Sequence, residues 1–105
     1  MSNLPSHYEN FLNQFPGIGD AYKALGNACR EAGPLDGKTV SLVKIGLAIG
    51  AGLEGATHSH VRRALEAGAT GEEIRHAVIL GTTTIGFPRM MAGLAWVEDV
   101  LETKG

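Results

Sequence analysis

The chain has 105 residues, of which 44% are hydrophobic and 19% are charged, and its formal net charge is −2. A chain of this length is typical of one domain, so we expect a single domain over residues 1–105. Nine Lys and Arg against eleven Asp and Glu supply no basic stripe for phosphates or anionic lipid, so nucleic acid is not an expected partner.

The N-terminal stretch MSNLPSHYENF has no charged leader followed by an apolar core, so we predict no secretory signal and expect the cytoplasm as the compartment. The most apolar segment, residues 40–53, contains Ser41, Lys44 and several glycines, and it is shorter than the roughly 20 residues of a membrane span. We therefore expect no membrane insertion.

The first third of the chain predicts two short helices. Ser6 and Glu9 have the spacing of a capping box, and apolar residues recur at helical intervals until Pro16 breaks the chain. Asp20 is the expected N-cap of the second helix. The apolar stripe of that helix is predicted to hold Tyr22, Leu25, Ala28 and Cys29, which makes the single cysteine a packed core thiol without a disulfide partner.

The middle of the chain predicts a central helix and a fourth helix after it. Asp36 is the expected N-cap of the run TVSLVKIGLAIGAG, which is apolar on nearly all sides and should be the most buried helix. The fourth helix is predicted over residues 56–67, because Val61 and Ala64 share one face and Gly68 supplies the stop.

The last third predicts two more helices. Thr70 and Glu73 form a capping box for a fifth helix that runs toward Gly86, and Pro88 opens the sixth. The apolar face of the sixth helix is predicted to hold Met91, Leu94, Ala95, Val97, Val100 and Leu101. Six helical segments without an alternating strand predict an all-α bundle.

Residues 50–55, Gly-Ala-Gly-Leu-Glu-Gly, match the G-x-G-x-x-G pattern of dinucleotide sites. The apolar run before them is about a dozen residues long and begins at an Asp cap, which favours a helix over a strand. No second strand follows, so the chain cannot build the sheet that this pattern requires. We interpret these glycines as points where helices end or approach closely, and we predict no cofactor.

Residues 53–70, LEGATHSHVRRALEAGAT, resemble the signature segment of the AhpD-like family, which is also the carboxymuconolactone decarboxylase family. The resemblance extends over roughly residues 22–101 and includes the turn Gly86-Phe87-Pro88. It implies an AhpD-like helical bundle that assembles into a homo-oligomer, as a trimer, a hexamer or a dimer.

The peroxidase branch of this family carries the motif C-x-x-C-x-x-x-H, preceded by a relay Glu. Four corresponding positions differ in this chain, with Ser41 for the Glu, Leu53 and Ala56 for the two Cys, and Gly55 for a His found in some members. Only His60 matches. A hydrocarbon side chain forms no thiolate, so peroxide reduction at these positions is not expected. In the decarboxylase branch, a Glu commonly falls at the position of Ala56.

His60 is the candidate acid or base, because imidazole titrates near neutrality. The alternative is a half-buried histidine held by one hydrogen bond. His58 lies about 200° away around the helix and is expected at the surface rather than in the same site. The four histidines form no i, i+4 pair, so a metal site would need convergence in three dimensions, and we predict none.

Two functional hypotheses remain open. The first is an oligomeric lyase or isomerase that uses His60 on a small molecule, with a carboxylate as one candidate group. Residues that would contact such a ligand are Arg62, Arg63, Arg89 and Thr83. The second is a non-catalytic ligand-binding or scaffold homo-oligomer that has kept the bundle and lost the relay. Alkyl hydroperoxidase activity through Cys29 is the least supported reading, because that residue lies outside the motif.

Overall fold

The computed structural model describes residues 6–104, which divide after Leu35 into two compact units. Residues 6–104 contain six α-helices and a short 3-10 helix, and they contain no strand. The all-α class expected from the sequence is therefore confirmed. No helix in this range combines the length and the apolar character that a membrane crossing requires.

The first unit contains α1 (Ser6–Gln14) and α2 (Pro16–Glu31). A buried glycine, Gly19, lies where α2 packs against α1. A Cβ atom at Gly19 would lie 2.6 Å from Cδ2 of Leu12, so the absence of a side chain permits the close contact. The capping role predicted for Ser6 rests on a side chain outside the described residues.

Two expectations for this unit are wrong. Helix α1 ends before Pro16 as predicted, and Pro16 also opens α2, since the fixed φ of proline suits the first helical position. Asp20 therefore lies inside α2 and is not its N-cap. Cys29 is exposed rather than packed in a core, as is the rest of its predicted stripe. A unit of two helices is too small to enclose a core on that side of α2.

The second unit contains α3 (Gly37–Gly50), α4 (Glu54–Glu66), α5 (Gly71–Ile79) and α6 (Phe87–Lys104), with the 3-10 helix Leu80–Thr83 after α5. All four α-helices supply side chains to one apolar core. Its buried members are Ile45, Ile49, Val61, Ala64, Ala69, Ile74, Val78, Met90, Val97, Val100 and Leu101. This core holds α3 and α4 together, and the candidate site described below lies on these two helices.

Three helix-end signals in the second unit match the sequence predictions. Asp36 caps α3, because its Oδ1 accepts a hydrogen bond of 2.8 Å from the Thr39 N–H. Thr70 and Glu73 form the predicted capping box, with the Glu73 N–H donating to Thr70 Oγ1 at 3.0 Å and the Thr70 N–H donating to Glu73 Oε1 at 2.9 Å. Gly68 ends α4 with a φ of 96°, in the left-handed region.

The predicted lengths of α4 and α5 need correction. Helix α4 begins at Glu54, two residues earlier than expected, and an acidic residue is favourable in a first turn because of the helix dipole. Helix α5 ends at Ile79 and does not continue to Gly86. The Thr82 hydroxyl donates to the Ile79 carbonyl at 2.7 Å, and such local bonds compete with the regular helical ladder.

Two helices present faces that differ in part from those predicted. Helix α3 buries Ile45 completely, but Val43 is 47% exposed and Leu47 is 67% exposed, so this helix is not buried on all sides. On α6, Val97, Val100 and Leu101 are buried as predicted, but Met91 and Ala95 are exposed and Met90 lies in the core instead. The neighbouring helices cover only one side of α3 and one side of α6, so apolar residues on the opposite side stay exposed.

Helices α3 and α6 approach each other closely at Gly93. A Cβ atom at Gly93 would lie 2.7 Å from Cδ1 and 2.9 Å from Cγ1 of Ile49, and closer still to Cγ2. Ile49 is only 2% exposed and has little room to move. Gly93 therefore permits the contact between these two helices.

Candidate functional site

The imidazole of His60 is half-buried, and His60 lies at the middle of α4 in the second unit. Its Nδ1 atom is inaccessible to water and has no hydrogen-bond partner, the only such side-chain atom within the described part of the chain. A buried polar atom without a partner costs free energy, and such atoms are uncommon in folded proteins. The position of His60 therefore needs a functional or structural explanation.

The pKa of His60 is lowered from its usual value of 6.5. Burial is the main cause, and the positive charges of Lys44 and Arg63 add to it. Protonation would also give Nδ1 a hydrogen without an acceptor, since both nitrogens of an imidazolium are donors. His60 is thus a neutral imidazole at neutral pH, the form that accepts a proton.

Two helices place the cations near this imidazole. Arg63 follows His60 by three residues on α4, so the two side chains lie on the same side of that helix. Lys44 lies on α3 and is half-buried, the one charged residue of α3 beyond its first turn. Lys44 was not among the residues predicted from the sequence, although a lysine in the middle of an apolar helix is an identifiable signal.

The other predicted ligand contacts do not join this group. Arg62 is two positions from His60, which is about 200° around α4. Arg89 lies on α6 with its guanidinium beside Gly52, where a Cβ atom would lie 2.5 Å from Nη1. Thr83 is exposed in the last residue of the 3-10 helix. Of these residues, only Arg63 influences the charge state of His60.

The positions that resemble a thiol relay lie at the start of α4 and on α3. Leu53 is the N-cap residue of α4 and is 53% exposed, and Gly55 and Ala56 lie in the first turn. Ser41 is buried on α3, one turn before Lys44. Leu53 and Ala56 present hydrocarbon at the beginning of the helix that carries His60.

A sequence model of the carboxymuconolactone decarboxylase family matches residues 16–99. The chain belongs to the carboxymuconolactone decarboxylase family. The match runs from the first residue of α2 into α6 and confirms the resemblance on which we based the family assignment. Comparisons with curated proteins and with solved structures gave no match.

This carboxymuconolactone decarboxylase family member also has an open apolar groove in its second unit. The groove has a volume of about 540 Å³. It is lined by Val43, Gly46, Leu47, Ile49, Gly50, Ala77, Val78, Leu80, Gly81, Thr84 and Ile85. His60 is not among these residues, so the groove and the His60 site are separate features. The sequence pattern gave no signal for the groove, because it depends on how α5 and the 3-10 helix pack beside α3.

Proposed function

We propose that the protein is an acid–base enzyme, a lyase or isomerase, in which His60 transfers a proton to or from a small carboxylated molecule. The observation that carries this proposal is the half-buried imidazole whose Nδ1 has no partner. A histidine kept for stability alone would be expected to have its buried nitrogen paired. A neutral imidazole in a partly desolvated position suits proton transfer.

The charges around His60 favour an anionic substrate. Lys44 and Arg63 both lower the pKa of His60, so a negatively charged ligand beside the ring would be favoured by the same positive charges. A carboxylate bound beside these cations would offset their charge and make proton uptake by His60 easier. Substrate binding would then raise the basicity of the imidazole at the time when it is needed.

The same imidazole serves either type of reaction. An isomerase removes a proton from one carbon and returns it to another, which one base can do in two steps. A decarboxylase breaks a carbon–carbon bond, releases CO₂ and leaves an electron pair on the substrate carbon, which then takes a proton from an acid. In the isomerase, His60 takes up a proton and returns it. In the decarboxylase, His60 must first take a proton from the solvent and then pass it to the carbanion, so that in both cases the ring returns to its neutral form.

Thiol peroxidase chemistry has no support from the positions of the family motif. Leu53 and Ala56 stand where the two cysteines would be, and Ser41 replaces the relay Glu. Cys29 is exposed on α2, outside the motif. We expect peroxide reduction at background level.

The second candidate is a non-catalytic ligand-binding or scaffold protein. The same three replacements at Ser41, Leu53 and Ala56 support it, because they remove most of the relay that the resemblance implies. The separate apolar groove also provides a surface for binding without chemistry. In either case we propose a homo-oligomer, since Val43, Leu47 and Leu80 are between 47% and 67% exposed in this groove.

Turnover of carboxymuconolactone and other small lactone and keto carboxylates, measured as CO₂ release or as a change in ultraviolet absorption, tests the proposal. We expect His60→Gln to lower kcat/KM by at least about 100-fold, because the ring supplies the proton acceptor. His76→Gln is the matched control, since His76 is exposed on α5, and it should retain activity. Unchanged turnover in His60→Gln would contradict the assignment of His60, and absence of turnover across all these carboxylates would favour the non-catalytic alternative.

A further inference from the structure

A second group of chemically active side chains lies on the other side of α4, away from His60. Glu54 and His58 are four residues apart on α4, and Asp99 lies on α6. One ligand atom from each of these three residues lies within 4.8 Å of the others. From this geometry we propose that Glu54, His58 and Asp99 bind one divalent transition-metal ion of the zinc type.

The distance between the ligand atoms of His58 and Asp99 suits two ligands of one metal ion. His58 Nε2 and Asp99 Oδ2 are 3.0 Å apart. Two ligands at about 2.1 Å from one ion are separated by about 3.0 Å at a right angle and by about 3.4 Å at a tetrahedral angle. A Zn²⁺ ion could therefore replace the hydrogen bond between these atoms with a shift of a few tenths of an ångström at most.

The backbone that carries these three residues is held in place by a buried core. The helices that carry the ligands, α4 and α6, share a buried core that includes Val61 and Ala64 from one helix and Val97 and Val100 from the other. Glu54 and His58 are one helical turn apart, which places them on the same side of α4. Little rearrangement of the helices is needed to bring the three ligands together, and pre-organised ligands favour metal binding.

The donor set decides the type of metal. Imidazole nitrogen suits zinc and related transition metals, whereas magnesium and calcium prefer sites made of oxygen alone. The imidazole of His58 therefore distinguishes this group from an ordinary acidic surface patch. Two carboxylates with a neutral imidazole also balance the charge of a divalent ion. The side chain of Asp99 is 58% exposed, so water can occupy the remaining coordination positions.

We predicted no metal site from the sequence, because the four histidines form no i, i+4 pair and convergence in three dimensions would be required. The structure provides such convergence, but through one histidine and two carboxylates. The carboxylate–histidine pair on α4 has the i, i+4 spacing, whereas Asp99 comes 41 residues after His58. The proposed metal site is independent of the function proposed for His60.

Titration of the metal-free protein with Zn²⁺ by calorimetry at pH 7.5 tests the site. We expect one equivalent of Zn²⁺ per chain, and at least about tenfold weaker binding in each of His58→Ala, Glu54→Gln and Asp99→Asn. His76→Ala removes an exposed histidine elsewhere and should bind Zn²⁺ as the unchanged protein does. Far-UV circular dichroism checks that every variant is folded, and Asp99→Asn preserves the shape of the side chain if His58→Ala does not fold.

A spectroscopic readout distinguishes coordination from a structural role of the His58–Asp99 hydrogen bond. The imidazole ¹⁵N signals of His58 should change on addition of Zn²⁺, whereas those of His76 should stay constant. Failure of the unchanged protein to bind one equivalent of Zn²⁺ would overturn the proposal. So would a His58→Ala variant with unaltered affinity, or Zn²⁺ binding without any change in the His58 signals.

Discussion

At the scale of single residues, the His60 site shows what a sequence motif can and cannot predict. Its position in the family signature identified His60, and its place one turn from Arg63 follows from helical spacing. Lys44 is 16 residues earlier on another helix, and only the packing of α3 against α4 brings it near. The sequence therefore indicated two of these side chains as candidates, His60 and Arg63, and missed Lys44.

The lowered pKa of His60 has a measurable effect on stability. The unfolded chain binds a proton at this residue near pH 6.5, whereas the folded chain does so only at lower pH. The free energy of unfolding should therefore fall as the pH decreases through 6.5 toward the folded pKa. His60→Gln removes this contribution, so urea denaturation should show a smaller loss of stability between pH 7.5 and pH 5.0 than in the unchanged protein.

Carboxylates whose pKa is lowered, such as Glu73 and Glu98, are present in both proteins, so their effect cancels in this comparison. If the free energy of unfolding changes with pH equally in His60→Gln and in the unchanged protein, the fold does not hold the His60 ring neutral.

At the scale of helices, the ends were easier to predict than the faces. Asp36 and Thr70 cap their helices as expected, because an N-cap is a contact within four residues of the chain. The burial of α3 was misjudged, since an apolar run does not reveal which side finds a neighbour. The end of α5 at Ile79 was also missed. The sequence does not show that the Thr82 hydroxyl donates to the Ile79 carbonyl, a local bond that competes with the helical ladder.

The approach of α3 to α6 gives a prediction about the core. Gly93→Ala should lower the free energy of unfolding by about 1–2 kcal/mol, because overpacking against Ile49 outweighs the higher helix propensity of alanine. Gly55→Ala is the control, since its Cβ atom would meet nothing within 4 Å, and it should leave the free energy of unfolding unchanged or raise it by up to about 1 kcal/mol through helix propensity. Denaturant unfolding measures both. A Gly93→Ala variant at least as stable as the unchanged protein would show that the two helices can separate without cost.

At the scale of the whole molecule, the apolar groove beside α3 predicts self-association. Leu47 is the most exposed large hydrophobic residue in this groove, at 67%. We expect the unchanged protein to sediment as an oligomer at micromolar concentration, and Leu47→Glu to sediment as a smaller species, since a charge in an apolar contact is costly. Glu72→Gln alters an exposed charge elsewhere and should leave the mass unchanged. A monomeric mass for the unchanged protein would refute this prediction.

The exposed position of Cys29 offers a practical way to measure such self-association. The chain has one cysteine, and it is open to solvent on α2. A maleimide dye would therefore attach at a defined point on every copy, without any engineered thiol. Energy transfer between donor-labelled and acceptor-labelled copies would then report how many neighbours each copy has and how quickly they exchange.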